Sequence, residues 1–310
     1  MDTSETPEAS EALEGSTAPA PGRPVVLLTG GTSGIGREAV QRLAESGATV
    51  LTVGRRADRG RRIAEEVTSE TPGTVRFQPI DLETFAAVRD LAAWVREETD
   101  RLDALVHNAA LSSQERYVTP NGVERTFAVN HLAPYLLTHE LLGLLADTGD
   151  SRVVITASSV HRRGTLDFDD IGFERGYDGL DAYARSKLAN VAFTLELAAR
   201  LGDDERTQGV VANCVHPGFI PTTGLYRDVS WRAKLATRVV GAIPGIGTSV
   251  NEGARRLVEV VIDPEYATRT GEYVGDGGPE EPSEEARDPD VRYRLWRVSA
   301  ELVGVDPNWP

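Results

Sequence analysis

Val25-Val26-Leu27-Leu28-Thr29-Gly30-Gly31-Thr32-Ser33-Gly34-Ile35-Gly36 carries an apolar run into a glycine-rich turn, and a helical pattern from Arg37 to Ser46 follows. Strand, turn and helix in this order make the element with which a dinucleotide fold holds pyrophosphate. Gly30, Gly34 and Gly36 permit a tight turn and close approach to phosphate, and Thr32, Ser33 and Ile35 complete the loop. The helix start adds unpaired N–H groups and positive dipole potential. A lone glycine motif is weak evidence; its position between strand and helix raises it above an ordinary glycine turn.

Beyond this stretch, further short runs predict strands at Thr49 to Val53, Thr74 to Pro79, Ala104 to His107, Val153 to Ala157 and Val210 to Val215, with helical patterns between them. Such alternation builds a parallel sheet. The runs are apolar for most of their length, as strands covered on both faces are. The expected fold is therefore α/β: a three-layer doubly wound parallel sheet with its ligand crevice at the carboxyl ends of the strands.

Length alone, 310 residues, would suggest two domains, but the regular alternation argues for a single domain over 23–310. Residues 1–22, rich in Glu, Ser, Ala and Pro, read as a disordered acidic tail with neither basic n-region nor apolar core. No stretch approaches 18 uninterrupted apolar residues, so no transmembrane helix is expected. Cys214 is the single cysteine, which excludes an intramolecular disulfide and a thiolate metal cluster and fits a reducing, cytoplasmic setting. The net charge of -15 argues against nucleic acid as a partner. Only Lys187 and Lys234 are lysines; this depletion, with excess Asp and Glu, suggests a halophilic source, although a GC-rich genome favouring Arg gives the same bias.

At the end of the second strand, Arg55 stands where a dinucleotide fold places the adenosine ribose. An acidic residue there would bind the 2′-hydroxyl, whereas a guanidinium fork neutralises a 2′-phosphate, so NADP(H) is expected over NAD(H). Arg59, Arg61 and Arg62 read as a solvated helix face. Asp81, followed by Leu82 just past the third strand, can accept from the adenine amino group or cap the next helix.

Tyr183 and Lys187, four apart at a helix start, share one face. An ammonium beside a phenol favours phenolate and lets Tyr183 exchange protons near neutrality. Ser158 and Ser159 end the fifth strand; a serine there can simply bond backbone in a turn, but Ser159 is the hydroxyl expected to hold a carbonyl oxygen. Asn130 interrupts the apolar helical run Phe127 to Leu137, and Pro134, lacking an N–H, removes the helical partner of its carbonyl. The result is a kink, or a free carbonyl that holds a relay water for Lys187. Residues 219–248, rich in Gly, Pro and apolar side chains including Trp231, read as a loop over an apolar substrate or as a variable connection.

These residues together resemble the short-chain dehydrogenase/reductase family from Arg23 to the C-terminus. The glycine motif, Asn108 and Ala109 in His107-Asn108-Ala109-Ala110, Asn130, Ser159, the Tyr183/Lys187 pair and Pro217-Gly218-Phe219-Ile220-Pro221-Thr222 match in order. The resemblance implies about seven strands and a homodimer or homotetramer. It also implies that Lys187 binds the nicotinamide ribose, that Ile220 and Thr222 bind the carboxamide, and that Asn108, Ala109, Pro217 and Gly218 border the cofactor. Ser159-Val160-His161, Ser186-Lys187-Leu188-Ala189-Asn190 and Arg294-Leu295-Trp296-Arg297-Val298-Ser299 are similar to the retinol-dehydrogenase and WW-domain-oxidoreductase branch. One departure is Ala110, where the family has glycine. His107 reads as a packing or hydrogen-bonded histidine. The expected activity is interconversion of a carbonyl and an alcohol; a non-catalytic NADP sensor would have lost part of the Tyr-Lys-Ser set, and epimerases or dehydratases usually carry a shorter glycine spacing.

Overall fold

A computed structural model describes residues 22–220 and 247–310. The acidic tail, Thr222, Trp231 and most of the expected substrate loop lie outside the described residues. The sheet holds β1 (Val25–Thr29), β2 (Thr49–Gly54), β3 (Thr74–Pro79), β4 (Ala104–His107), β5 (Ser151–Thr156), β6 (Val210–Val215), β7 (Tyr273–Gly275) and β8 (Gly278–Glu280). Their order is β3-β2-β1-β4-β5-β6-β7-β8. The first seven pair in parallel and β8 returns antiparallel on β7 through the two-residue connection Asp276-Gly277. The apolar runs place six of these strands, although β5 begins at Ser151, which pairs with Val210, and ends at Thr156. At three residues each, β7 and β8 are too short for a run to reveal.

The helices are α1 (Gly34–Glu45), α2 (Ala57–Glu70), α3 (Phe85–Glu98), α4 (Arg125–Phe127), α5 (Ala133–Thr148), α6 (Gly179–Asp203), α7 (Val250–Ile262), α8 (Glu284–Arg287) and α9 (Pro289–Val303). Alternate strand residues supply two cores, one on each face. Val25, Leu27, Leu105, Val153 and Ile155 pack with α3, α5, α6 and α9, whereas Val26, Leu28, Val106 and Val154 pack with α1, α2 and α7. All five β1 side chains are buried. At roughly 1.5–3 kcal/mol for each fully buried aliphatic side chain, β1 is a fixed axis for the crevice.

From β1 the chain winds outward to β3, then crosses back to β4 and winds the other way. The connections that leave the carboxyl ends of the paired strands β1 and β4 therefore run in opposite directions, and ligands bind at such a switch point. The C-terminal segment closes one side of the molecule. Trp296 and Trp309 lie 4.4 Å apart by ring centroid, each within 5.1 Å of the Tyr135 ring, and Trp309 Nε1–H donates to the Tyr135 hydroxyl at 2.9 Å. This cover gives α6 a second apolar partner, so Phe193, Leu197 and Leu201 are buried while Ala199 is exposed.

Candidate active site

The glycine turn is stitched to β4. Thr29 Oγ1 accepts from the backbone N–H of Asn108 at 3.0 Å and of Ala109 at 3.1 Å, and Asn108 Nδ2 donates to Thr29 O at 3.0 Å. Gly30 has φ +77°, and a Cβ there would sit 2.9 Å from Ala109 Cα. A Cβ on Gly36 would lie 2.3 Å from Gly30 O, so any side chain breaks the turn. Ser33 caps α1 by position but makes no side-chain capping bond. The open amides of that first turn suit an anionic group. Thr32 abuts the end of β2, its Cγ2 standing 2.9 Å from where a Gly54 Cβ would be.

Arg55 follows β2 and is exposed. Beside it an open groove of about 790 Å³ is lined by Arg37, Arg56, Arg59 and Arg62 with Asp58 and Glu66. Arg59 and Arg62, expected on a solvated face, therefore border a concave surface with two further guanidiniums. Arg37 is paired with Glu66 at 2.8 Å. Burial and Glu83 push the Asp81 carboxyl above its ordinary pKa, against the pull of Arg55 and Arg125. The capping alternative for Asp81 does not hold: α3 is capped by Thr84, whose hydroxyl accepts from Ala87 N–H at 3.2 Å. Leu82, next in sequence, is buried in the core.

Asn130 lies in a π-helical turn, Ala128–Leu132, that joins α4 to α5. The kink expected from Pro134 takes this form: the ladder widens, with Ala133 N–H bonding back to Ala128 O. The Asn130 side chain is fully committed. Its Oδ1 accepts from Leu111 N–H at 2.8 Å, while Nδ2 donates to Leu111 O at 2.8 Å and Ser186 Oγ at 3.0 Å. Ser186 Oγ in turn donates to Tyr183 O at 2.7 Å. The amide thus ties the loop after β4 to the first turns of α6. Sequence reading did not assign this bridging role to Ser186, although the residue adjoins Lys187.

Asp178 starts α6, its carboxylate accepting from Leu180 and Asp181 N–H. One turn on, Tyr183 is half-buried, and Lys187 is buried. Lys187 Nζ donates to Thr156 O at 2.8 Å and stands 5.6 Å from the Tyr183 ring centroid. Burial pushes its pKa down to about 7. Three residues beyond Thr156, the 3-10 turn Ser159–Arg163 begins. Ser158 is its cap, the hydroxyl accepting from Val160 N–H at 3.4 Å, whereas Ser159 is exposed. A Cβ on Gly164, at the end of this turn, would sit 2.6 Å from Ala184 O. The serine turn therefore abuts α6 beside Tyr183.

After β6, Gly218 adopts φ +94°, with Thr248 Oγ1 where a Cβ would be. Gly218 N–H donates to His216 Nδ1 at 3.2 Å, and Thr248 N–H donates to Phe219 O at 2.7 Å. Arg256 on α7 ion-pairs with Asp276 and reaches Pro217 O at 3.5 Å, pinning this segment. Sequence reading missed Arg256, which is 38 positions away from Gly218. Ile220 is buried, its Cδ1 over Gly253. His107 is buried with Nε2 2.9 Å from Thr138 Oγ1. That hydroxyl donates to Pro134 O, so Nε2 carries the proton; burial pushes the imidazole pKa to about 3. Ala110, in place of the family glycine, has no positive φ and carries its methyl without backbone strain.

Dinucleotide-shaped features are all present: a cradle that a Cβ would fill, open helix amides, guanidiniums past β2 and a buried ammonium at the far end. Among the described residues no group of three or more His, Cys, Asp or Glu could hold a metal ion, and no helix is long and apolar enough to cross a membrane.

The model of the short chain dehydrogenase family matches residues 24–233. Polyprenol dehydrogenase of Mus musculus is 36% identical over 292 residues, covering 93% of this chain and 85% of that protein. Human retinol dehydrogenase 13 is 33% identical over 294 residues, covering 94% and 87%. Among solved structures, a Mycobacterium paratuberculosis protein superposes with TM-score 0.73 at 26% identity, covering 91% of this chain and 94% of that one. A short chain dehydrogenase from Burkholderia cenocepacia in complex with NADP gives TM-score 0.65 at 26% identity, covering 83% and 97%.

Proposed function

Taking as premise that the chain belongs to the short-chain dehydrogenase family, a family of oxidoreductases, we propose that it interconverts a carbonyl and an alcohol with NADP(H), using Tyr183 as general acid and base. The observation that carries this reading is the buried Lys187 ammonium between Thr156 O and the Tyr183 ring.

A bound nicotinamide supplies hydride to a carbonyl carbon, or takes it from an alcohol. In reduction the Tyr183 hydroxyl gives its proton to the carbonyl oxygen as the new C–H bond forms, and in oxidation the phenolate takes that proton back. Ser159 donates to the same oxygen and holds the carbonyl in line. Lys187 stabilises the phenolate and binds the nicotinamide ribose. With its pKa near 7, the ammonium is only partly populated at neutral pH; the negative phosphates of a dinucleotide favour the charged form. The Asn130 amide is spent on Leu111 and Ser186, so a relay through this residue runs by its main-chain carbonyl.

The loop of Gly30, Thr32, Ser33, Gly34, Ile35 and Gly36 holds pyrophosphate, Arg55 with its neighbouring guanidiniums takes the 2′-phosphate, and Asp81 and Leu82 meet the adenine. Asn108, Ala109, Pro217 and Gly218 border the cofactor, and Ile220 and Thr222 bind the carboxamide. An apolar substrate is favoured by Leu180, 42% exposed one turn before Tyr183 on the same face, and by Phe219, 36% exposed. The names of the polyprenol and retinol dehydrogenases agree with that class.

Tyr183→Phe tests the reading. NADPH-dependent turnover of carbonyls should disappear while NADPH affinity stays within about two-fold. Unchanged turnover would refute the role of Tyr183; binding without turnover in the unsubstituted protein, across a broad carbonyl and alcohol panel, would favour the sensor instead.

A further inference from the structure

The turn that carries Ser159 is gripped by a residue the proposed chemistry does not use. His161, two positions on, is fully buried. Its backbone N–H donates to Ser158 O at 3.1 Å, and its ring Nδ1 stands 2.8 Å from that same oxygen. On the other side of the ring, Ser283 N–H donates to Nε2 at 3.2 Å. These two partners dictate the tautomer. A carbonyl only accepts, so Nδ1 carries the proton; an amide only donates, so Nε2 is bare.

The groups around the ring hold it neutral. Burial lowers the His161 pKa first, the bond to Ser158 O opposes it, Arg162 on the same turn and His216 after β6 act in the direction of burial, and Glu280 on β8 opposes them, with a net lowering. Tyr273 of β7 lies 4.9 Å from the imidazole by ring centroid, with Arg162 over its other neighbourhood at 5.9 Å. A side chain that merely filled this space would not require one particular nitrogen to bear the proton.

We propose that His161 is a positioning residue for Ser159: its Nδ1–H, locked in place by the Ser283 amide, clamps the Ser158 carbonyl and so aims the adjacent Ser159 hydroxyl at the reacting carbonyl oxygen. The inference rests on the reading of Ser159 given above. It makes the segment before α8, 122 positions away in sequence, part of the support of the catalytic turn.

Three substitutions separate the two nitrogens. In His161→Asn the amide Nδ2 falls near the place of Nδ1 and can still donate to Ser158 O. In His161→Gln the amide reaches toward the place of Nε2 and leaves that carbonyl. Ser283→Pro deletes the amide donor, at a residue whose φ of -60° suits proline, and with it the hydroxyl that caps α8, so it is compared with Ser283→Ala, which loses the cap but keeps the amide. In the proline variant the proton can then move to Nε2, setting a bare Nδ1 against the carbonyl. Each variant is measured for kcat and KM on whichever panel carbonyl the unsubstituted protein reduces, for NADPH affinity by fluorescence, and for thermal stability.

The expected result is a kcat for Asn within about three-fold of the parent, a loss of roughly 30-fold for Gln, and about five-fold for Ser283→Pro, with KM and NADPH affinity within two-fold throughout. Equal kcat for Asn and Gln, or losses that only follow melting temperature, would overturn the proposal. If the His161 variants fail to fold, the two Ser283 variants decide alone: a kcat for Ser283→Pro equal to that of Ser283→Ala overturns it. Ser159→Ala is the control. Should that variant turn over normally, the assignment of Ser159 fails; should it be inactive while Asn and Gln are equal, only the role of His161 fails.

Discussion

Replacing Lys187 with Met should stabilise the cofactor-free protein at pH 8 and destabilise it at pH 10. The lysine pKa is depressed from 10.5 to about 7 by burial, so between those values the folded chain binds fewer protons than the unfolded chain and stability rises with pH. At pH 8 the lysine must be held deprotonated 2.5 pH units below its unfolded value, which at about 1.36 kcal/mol per unit costs roughly 3 kcal/mol. At pH 10 the same cost is under ~1 kcal/mol. Met of similar length removes it but leaves Thr156 O without the donor it now has at 2.8 Å, a loss of about 1–3 kcal/mol. The balance is a gain of about 1 kcal/mol at pH 8, or roughly 2–4 °C in Tm, and a loss of about 1–2 kcal/mol at pH 10. Thermal unfolding followed by circular dichroism, without cofactor at both pH values, reads the difference. A Met variant equally less stable at pH 8 and pH 10 would refute the claim that burial strains this ammonium.

Arg55→Asp should raise the NADPH dissociation constant by about 10–100-fold and leave NADH within three-fold, because it removes one guanidinium and adds a like charge opposite a 2′-phosphate; fluorescence titration with both nucleotides checks this. Asn130→Ala strips both backbone groups of Leu111 of their partner, so unfolding free energy should fall by about 2–4 kcal/mol in denaturant titration and kcat should fall with it. Undiminished turnover in Asn130→Ala would argue that the loop after β4 needs no anchoring to α6.

The parts of this molecule that could be read from sequence are those encoded locally. The glycine turn lies within twelve consecutive residues, and Tyr183 and Lys187 are one helical turn apart, so spacing alone brings them together. Parallel strands buried on both faces announce themselves as apolar runs, which is why β1, β4 and β6 keep their predicted limits; β3, at the sheet edge with only Val75 buried, keeps its limits as well. Partnerships across the fold left no local trace. Nothing near Ser186 signals that its hydroxyl will meet Asn130, 56 positions earlier, and nothing near Arg256 signals the turn at Pro217. Arg37 and Arg62 share a groove only because α1 and α2 pack side by side on one face of the sheet. Asp81 failed as a cap for a subtler reason: two helix-starting side chains compete within four residues, and the hydroxyl of Thr84 stands in the correct position before α3.

The indole pair of Trp296 and Trp309 has an optical consequence. Transitions on two rings 4.4 Å apart mix, and mixed transitions give a signed couplet in far-ultraviolet dichroism that an isolated indole lacks. That couplet belongs to the docked end of the chain, whereas the helical bands belong to the whole molecule. Following both on one heating ramp therefore distinguishes peeling of the last residues from melting of the sheet, with no label attached.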